Sequence, residues 1–477
     1  MMEVILMPFH SQGHMNTMLQ FAKRLVWKGA GTIHVTVATT LSTTQKMSNN
    51  NLEFISIESI YNDTVNQDRL SNFKARMDEF EAEASLQLSR LISISSSRSK
   101  KCLLVYDASM PWALDIAKEH NILAAAFFTQ ACGFMASVYP LFIQEYPLIA
   151  AAAAHNHGHS NYPPLLLDQT VLPSTDDLER GLLNILNLFS KPDQPAASTD
   201  TAKKPINPVI KMAISTMNNL HLADYVLFNS FYHLEDQVVN WMQNMWNVRT
   251  IGPTIPSAYL DRRVKDDTDY GFKLYKPNNE ACMNWLNAKQ TASVVYVSFG
   301  SAAVLNAEQM TEVAEALKKI RSSFLWIVRE NEQKKLPKDF ITETSDRGLV
   351  MSWCSQLDVL AHEAVGCFIT HCGWNSTIEA LSFGVPMLGM PQFMDQHIDA
   401  HFVDQVWGVG IRPNENEEKL VTHEEIKRCL EEIMHGQRSE KVKENVAKWK
   451  ALAKEALSQG GSSDKHIEEI INRLTSS

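Results

Sequence analysis

Apolar residues at the start of the chain follow two periods in turn, and they predict a strand, a helix and a second strand. The run "EVILMPF" is short and continuously apolar, as in a buried parallel strand. Apolar residues then recur at helical spacing, up to a glycine suited to end the helix, at Met15, Met18, Leu19, Ala22, Leu25, Val26 and Gly29. The next stretch, "TIHVTVA", alternates as a strand does. This order of elements predicts a parallel sheet.

The same pattern returns along the rest of the chain. In the first half, "KCLLVYDAS" predicts a strand that ends at Asp107, a helical pattern follows through Lys118, and "YVLFNSF" predicts another buried strand. The second half opens with the strand "SVVYVSFGS" and a helix over 306–320. The strands "FLWIV", "GCFITHCGWNS" and "VPMLGMPQFMDQ" come after that helix. We therefore predict an α/β protein made of two doubly wound halves that face one another.

Three segments have the composition of loops or linkers. Residues 150–159 and 190–208 are of low complexity, and the second is rich in proline, serine and lysine, as in a mobile surface loop. The first segment carries alternating histidines that could ligate a metal or lie in a solvated loop, namely His155, His157 and His159. Residues 251–271 combine prolines, glycines and charges, which is typical of an interdomain linker.

Composition and charge narrow the classes of protein that fit this pattern. With 477 residues the chain exceeds a typical single domain, and 45% hydrophobic with 21% charged residues is typical of a soluble globular protein. A net charge of −10 argues against nonspecific nucleic-acid binding. The seven cysteines are scattered and form no CxxC pair, which argues against a disulfide framework or a zinc site and fits a reducing cytosol.

The sequence carries no signal for export or for a membrane. The apolar run at residues 4–9 is too short for the core of a signal peptide and lacks a basic segment before it. No stretch of 18 apolar residues exists, so we expect no membrane-spanning helix. These features predict a cytoplasmic protein, and because no interface motif is evident we expect a monomer.

Polar residues that follow predicted strands are the first candidates for a functional site, because ligands of open α/β sheets bind at the carboxyl ends of strands. These candidates are His10, His14, Asp107, Gly300, Ser301, His371, Asn375, Ser376, Asp395 and Gln396. In "HCGWNST" a helix that begins near Thr377 would offer backbone N–H groups to a phosphate. Alternatively, Ser376 and Glu379 form a capping box. Trp353 and Trp374 either stack on a flat ring or belong to the core.

Residues 353–396, "WCSQLDVLAHEAVGCFITHCGWNSTIEALSFGVPMLGMPQFMDQ", closely resemble the signature box of plant UDP-glycosyltransferases over its full length of 44 residues. The stretches "QGHMNTMLQFAKRL", "VYDASMPWALDIAKE" and "IGPTIPSAYLD" also resemble that family, in the group that includes salicylate, auxin and terpenoid or steroid glucosyltransferases. The resemblance implies the GT-B fold, in which two Rossmann-like domains face one another across a cleft.

The resemblance also implies a domain plan. We expect an acceptor-binding domain at 1–245, a linker at 246–275 and a UDP-sugar-binding domain at 276–455. Residues 456–477 would form a C-terminal helix that packs back on the first domain. The implied substrates are UDP-glucose and a small-molecule aglycone, with no cofactor and no metal.

Roles at the donor site carry over from the family by position. Trp353 would stack on uracil, Gln356 and Glu379 would hold the ribose hydroxyls, and a final glutamine such as Gln396 usually accompanies glucose. The diphosphate would be bound by His371, Asn375, Ser376 and Ser301. The sugar would be read by Trp374, Asp395, Gln396 and Thr129, and Cys354 completes the donor-binding set.

The stretch "PFHSQGH" at residues 8–14 contains two histidines, and the resemblance assigns them differently. His14 corresponds to the catalytic base, whereas His10 stands where the family commonly has proline or another small residue and is expected to be non-catalytic. Asp107 corresponds to the aspartate that orients the base. A helix N-terminus beside His14 disfavours imidazolium and so favours the neutral base. Thr17 replaces a proline that is frequent in the family, which affects the loop shape rather than the chemistry.

The acceptor pocket is expected to be apolar and adaptable. Its candidate residues are Phe9, Met15, Met110, Phe128 and Met135. No arginine stands next to the proposed base, which favours a neutral lipophilic aglycone such as a steroid or triterpenoid alcohol, then a phenolic or flavonoid. The product would be a β-glucoside formed with inversion. Ester formation on a small aromatic or auxin-like carboxylate and acceptor-independent hydrolysis or epimerisation of the UDP-sugar remain alternatives. A nicotinamide oxidoreductase would need GxGxxG after the first strand, which is absent.

Overall fold

The computed structural model of the chain describes residues 1–47, 54–63, 73–99, 101–145, 177, 213–272 and 279–475. Contacts divide the chain into two compact units. Unit 1 comprises the described residues of Met1–Leu167, Ile185–Lys273 and Glu455–Ser477, and unit 2 comprises those of Asp168–Asn184 and Leu274–Lys454. The predicted loops at 150–159 and 190–208, with the three alternating histidines, lie outside the described residues. The predicted domain boundaries stay predictions.

Unit 1 is built on a parallel sheet of seven strands in the order β3-β2-β1-β4-β5-β6-β7. The strands are β1 (Met2–Met7), β2 (Ile33–Thr40), β3 (Ile55–Tyr61), β4 (Cys102–Asp107), β5 (Leu123–Phe128), β6 (Tyr225–Phe228) and β7 (Val248–Thr250). Its helices before residue 273 are α1 (Gln12–Lys28), α2 (Leu41–Met47), α3 (Phe73–Arg98), α4 (Trp112–Glu119), α5 (Cys132–Glu145) and α6 (Asp236–Met242). Because β1 lies between β2 and β4, the order of strand addition reverses there, and this reversal is where doubly wound sheets bind ligands.

Unit 2 repeats this arrangement with a parallel sheet of six strands in the order β10-β9-β8-β11-β12-β13. The strands are β8 (Val294–Ser298), β9 (Ser323–Ile327), β10 (Gly348–Met351), β11 (Val365–Thr370), β12 (Met387–Gly389) and β13 (Gly410–Ile411). The helices that follow α6 are α7 (Asn279–Asn287), α8 (Ala307–Lys319), α9 (Phe340–Glu343), α10 (Gln356–Ala361), α11 (Trp374–Phe383), α12 (Gln396–His401), α13 (His423–Met434) and α14 (Ser439–Leu457). Its reversal lies between β8 and β11.

The strands and helices predicted from apolar periodicity are present, so the α/β fold class is confirmed. The helix predicted over 306–320 is α8, and its first residue follows Asn306, whose side chain caps the helix by accepting from Gln309 N at 2.7 Å. One predicted boundary is wrong: the helix expected to begin near Thr377 begins at Trp374.

The last helix, α15 (Ser462–Thr475), returns to unit 1. Its Ile467, Ile470 and Leu474 are buried in the same core cluster as Met18 and Leu25 of α1. At its N-terminal end, Asp464 accepts from Lys28 Nζ at 2.7 Å. The chain's final helix therefore forms part of the core around its first helix.

Helix α1 is also tied to residues 257–269, which belong to unit 1. Arg24 donates two hydrogen bonds to the Asp261 carboxylate, at 2.9 and 3.0 Å, and both side chains are almost fully buried. Lys23 Nζ donates to Asp267 Oδ1 at 2.8 Å, and Gln20 Nε2 donates to the carbonyl of Asp269 at 3.0 Å. These buried polar contacts fix the helix that begins next to the end of β1.

Candidate functional site

Two polar side chains meet where the order of strands reverses in unit 1. His14 lies in the first turn of α1, directly after β1, and Asp107 is the last residue of β4. Because β1 and β4 are parallel neighbours, their carboxyl ends share one edge of the sheet. His14 Nδ1 lies 2.5 Å from Asp107 Oδ2, so the structure brings together the two residues that the sequence predicts as base and partner.

Asp107 is held as a carboxylate. Its other oxygen, Oδ1, accepts from the backbone N of Ser109 at 3.0 Å and from the Ser109 hydroxyl at 2.5 Å. Burial raises the pKa of Asp107, but the nearby His14 charge and the hydrogen bonds from His14 and Ser109 outweigh it and lower that pKa below its usual value. A carboxylate can only accept, so His14 Nδ1 carries a proton, and when the imidazole is neutral its lone pair lies on Nε2. This tautomer is the one that a general base requires.

Thr129 follows β5 and contacts the same imidazole, with its Oγ1 3.2 Å from His14 Nδ1. The residue is almost fully buried. The sequence assigns Thr129 to the sugar-binding set, and the structure places it in unit 1 beside the base.

The five residues predicted for the acceptor pocket differ in exposure. Phe9 is partly exposed, and its ring centroid lies 5.6 Å from that of His14. The other four are buried in unit 1, and they are Met15, Met110, Phe128 and Met135. The Phe128 ring stacks on Phe228 at a centroid distance of 4.7 Å. Phe9 is therefore the predicted pocket residue that stands beside the base, and the assignment of the pocket stays a prediction.

The reversal point of unit 2 carries a second group of predicted residues. Ser301 lies just beyond β8, and His371 follows β11 directly. Gly300 has φ +70°, and a Cβ at this position would lie 2.8 Å from His371 Cε1. A Cβ at Gly373 would lie 2.6 Å from His371 Nε2. The two glycines therefore leave space for the imidazole between the ends of two neighbouring strands.

His371 is neutral in this setting. Burial and then the charge of Arg329 lower the pKa of His371 from 6.5 to about 4. Its Nδ1 is buried, and no group within the described residues forms a hydrogen bond with it. A buried ring nitrogen of this kind is suited to bind a polar ligand group.

Helix α11 begins beside this imidazole. Its N-cap is Gly373, which offers no side-chain cap, and Asn375 and Ser376 lie in the first turn. The capping box of Ser376 and Glu379 is therefore not formed, because the helix begins too early for Ser376 to be its N-cap. The first backbone N–H groups of α11 lack partners within the helix, which makes this end suited to an anion.

Gln356 links the residues that the sequence assigns to the ribose. Its Nε2 donates to Glu379 Oε2 at 2.7 Å and to Ser376 Oγ at 2.9 Å. Its Oε1 accepts from the Tyr296 hydroxyl at 3.3 Å. The amide thus orients the Glu379 carboxylate relative to the first turn of α11.

The tryptophans of the signature stretch differ in their surroundings. Trp353 is partly exposed, as stacking on a base would require. Trp374 is 3% exposed and packs near Trp407, with ring centroids 6.0 Å apart, so its indole belongs to the core of unit 2. Cys354, beside Trp353, is also buried.

Gln396 is the first residue of α12, and Asp395 is the N-cap residue before it. The Gln396 side chain is buried, and its Oε1 accepts from the backbone N of Gln392 at 2.9 Å and of Phe393 at 3.1 Å. These bonds occupy the oxygen of the amide and thereby fix the orientation of its Nε2 donor. Asp395 is partly exposed immediately before the helix.

Sequence reasoning missed two residues that shape these sites. Ser109 anchors Asp107, and its signal is the Asp-x-Ser spacing that allows a local side-chain turn. Arg329 follows β9 and binds the loop that contains Ser301, and its signal is a cation directly after an apolar strand.

One group of potential metal ligands occurs within the described residues. Glu312, His423 and Glu424 each bring one atom within 4.8 Å of the others. The Lys319 ammonium contacts His423 Nε2, so the group is an ion-pair cluster that already contains a cation. None of the described helices has both the length and the apolar character needed to cross a lipid bilayer.

The chain is similar to known proteins over nearly its full length. Residues 193–456 match the family described as "UDP-glucoronosyl and UDP-glucosyl transferase". UDP-glucosyl transferase 74CD1 of Saponaria officinalis is 49% identical over 99% of this chain and 98% of its own. Mogroside I-E synthase of Siraitia grosvenorii is 39% identical over 99% of this chain and 98% of its own. The crystal structure of Os79 from O. sativa in complex with UDP matches with a TM-score of 0.81 and 31% identity, over 99% of this chain and 100% of that chain.

Proposed function

The chain belongs to the family of UDP-glucoronosyl and UDP-glucosyl transferases, and from that premise we propose that it is an inverting UDP-glucose-dependent O-glucosyltransferase of a lipophilic aglycone. Its fold is the GT-B fold of that family. The observation that carries the proposal is the 2.5 Å contact between His14 Nδ1 and Asp107 Oδ2. A histidine held in the tautomer of a base argues against a protein that binds the nucleotide sugar without turnover.

The proposed reaction is a single in-line displacement. His14 Nε2 removes the proton of an acceptor hydroxyl, and the hydroxyl oxygen attacks the anomeric carbon as the bond to UDP breaks. Asp107 stabilises the imidazolium that forms. Attack from the side opposite to the leaving group converts an α-linked donor into a β-glucoside.

The donor would be held by unit 2. The first N–H groups of α11 and the imidazole of His371 would stabilise the charge that develops on UDP. Glu379, oriented by Gln356, would accept from the ribose hydroxyls, and Trp353 would stack on uracil. The Gln396 amide, whose oxygen is occupied by its own loop, would donate to a sugar hydroxyl.

The proposed acceptor is a steroid or triterpenoid alcohol. The partly exposed Phe9 ring beside His14 supports an apolar acceptor. The similarity to mogroside I-E synthase is consistent with a terpenoid. A phenolic or flavonoid is the second candidate acceptor.

The test is UDP release from UDP-glucose with and without steroid, triterpenoid, flavonoid and carboxylate acceptors. The product is identified by mass and by the proton NMR coupling of its anomeric centre. A β-glucoside of a steroid or triterpenoid alcohol is expected. Turnover of benzoate-type acids alone would overturn the proposed acceptor, an α-product would overturn inversion, and acceptor-independent release would favour a hydrolase.

We also propose that the protein is a cytoplasmic monomer. Its seven cysteines are free and buried, which supports a reducing compartment. Light scattering after size exclusion, together with fractionation of the source cells, tests both points. A stable dimer or recovery from a secretory fraction would contradict them.

A further inference from the structure

The loop that leads from β8 to α8 is fastened by two cationic side chains. Arg329, just beyond β9, donates from Nη1 to the carbonyl of Ser301 and from Nη2 to the carbonyl of Ala303, the latter at 2.5 Å. Lys335 Nζ donates to the carbonyl of Leu305 at 2.9 Å. Three alternate carbonyls of one short loop are therefore bound by side chains that follow the neighbouring strand.

The two cations differ in how their charge is balanced. Lys335 Nζ lies 2.5 Å from Glu332 Oε2, so its charge is neutralised. Arg329 makes no ion pair with any carboxylate that the structure describes, and its two Nη atoms donate to neutral carbonyls. Arg24 and Arg412 pair with carboxylates, those of Asp261 and Asp177. Arg347, like Arg329, instead donates to backbone carbonyls. A half-buried guanidinium without a counter-charge leaves a positive field around it.

That field reaches the residues next to the proposed diphosphate site. Arg329 donates to the carbonyl of Ser301, which directly follows Gly300, the residue packed against the His371 imidazole. After burial, the Arg329 charge is the second cause of the low pKa of His371. The Ser301 carbonyl that Arg329 binds belongs to a residue that is predicted to bind the diphosphate. Arg329 thus adds positive charge at the strand edge where the diphosphate is proposed to bind.

We propose that Arg329 is a positioning residue for the nucleotide diphosphate, which it favours through its uncompensated charge and through its hold on the Ser301 loop. This inference rests on the proposed function, because it assumes that unit 2 binds UDP-glucose. The charge would act on the diphosphate and on the UDP leaving group, but not on the uridine part of the donor. Arg329 forms no contact with reacting atoms in this role.

The experiment measures the affinities of the full-length protein for UDP and for uridine by titration calorimetry. Arg329→Gln is expected to weaken UDP binding about tenfold and to leave uridine within twofold of the wild type. The double variant Glu332→Gln/Lys335→Gln is the matched control, since it releases the same loop but removes a neutral ion pair and leaves the net charge unchanged; both affinities should stay within twofold. Equal losses for UDP and uridine in Arg329→Gln, or an unchanged UDP affinity, would overturn the inference.

Arg329→Lys keeps the inference testable if the glutamine variant does not fold. It retains the charge but loses the two-carbonyl contact, so UDP affinity should stay within about threefold of the wild type. An equal loss for UDP and uridine in this variant would overturn the inference. The same titration separates this inference from the proposed function. If the wild-type protein does not bind UDP, the proposed function is refuted. If the wild type binds UDP and Arg329→Gln binds it equally well, only the role of Arg329 is refuted.

Discussion

His14 Nδ1 lies 2.5 Å from Asp107 Oδ2, although 93 positions separate the two residues in the sequence. The contact exists because β1 and β4 are parallel neighbours: Asp107 is the last residue of β4, and His14 lies in the first turn of the helix that follows β1. Asp107 is itself fixed from the other side by the backbone and hydroxyl of Ser109. The orientation of the imidazole is therefore set by the sheet and a local turn together.

Replacement of the proposed base should remove turnover but leave UDP binding intact. We expect His14→Ala to lower kcat by roughly 10²–10⁴-fold, the usual range for loss of a general base, with little change in the Kd of UDP. His10→Ala is the control, because His10 is a neighbouring histidine without the Asp107 contact, and its kcat should change by less than about threefold. A fall in UDP affinity that parallels the loss of kcat in His14→Ala would refute the role of base.

Asp107→Asn tests the tautomer. Asparagine is nearly isosteric, but its amide donates, so His14 Nδ1 would become an acceptor and the proton would move to Nε2. We expect kcat to fall by roughly 10²–10⁴-fold with an almost unchanged KM for UDP-glucose. Ser109→Ala, which removes one hydrogen bond to Asp107 and keeps the carboxylate, should lose far less activity. Comparable losses in the two variants would indicate that packing, and not the tautomer, is what matters.

The low pKa of His371 should make stability depend on pH. The native pKa of about 4 lies below the unfolded value of 6.5, so the unfolded state binds the extra proton between these values. The contribution of neutral His371 to the free energy of unfolding is therefore fully present above pH 6.5 and declines as the pH falls towards 4. We therefore compare the unfolding free energies of the wild type and His371→Gln. Between pH 8 and pH 5, the wild type should lose on the order of 2 kcal/mol more than the variant.

Urea unfolding of the wild type and His371→Gln at pH 8, 6.5 and 5 measures this effect. The comparison cancels the titration of carboxylates that both proteins share. Curves of unfolding free energy against pH that run parallel would contradict the prediction.

Gly300→Ala should damage nucleotide binding more than stability. The residue has φ +70°, and the added Cβ would meet His371 Cε1 at 2.8 Å. Gly460 has φ +79° with no heavy atom within 4 Å of a Cβ, so Gly460→Ala carries the backbone cost alone. Gly460→Ala should lower the free energy of unfolding by about 1 kcal/mol, and Gly300→Ala by somewhat more, because its Cβ must also displace the imidazole. Only Gly300→Ala should weaken the binding of UDP, by tenfold or more. A similar UDP affinity in the two variants would show that the His371 imidazole moves aside without loss of binding.

Much of each sheet follows from the sequence, because continuous apolar runs and helical spacing are local signals. The carboxyl ends of β1, β4, β8 and β11 could be located in this way, and parallel topology then places their polar residues at a common edge. The start of α11 could not be found from local residues. Ser376 and Glu379 have the spacing of a capping box, whereas the helix begins at Trp374 next to the packed imidazole of His371.

Long-range charge pairing was also hidden from the sequence. Residues 251–271 have the composition of a linker, but composition does not show that Asp261 and Asp267 pair with Arg24 and Lys23 of α1. The same holds for Arg329, since a cation after a strand gains significance only when its partners are known to be carbonyls and not carboxylates. Pairing across such distances depends on the tertiary fold.

The ties on α1 have a consequence for the order of synthesis. The helix that carries His14 leaves the ribosome early, whereas Asp261 and Asp464, which bind its Arg24 and Lys28, are made 237 and 436 positions later. The core around α1 also includes apolar residues of α15, the last helix of the chain. Unit 1 therefore cannot be completed during translation of its own first segments, and the apolar surface of α1 stays partly uncovered until residues 462–475 have been made. The helix that carries the proposed base thus depends for its packing on residues made more than 400 positions later.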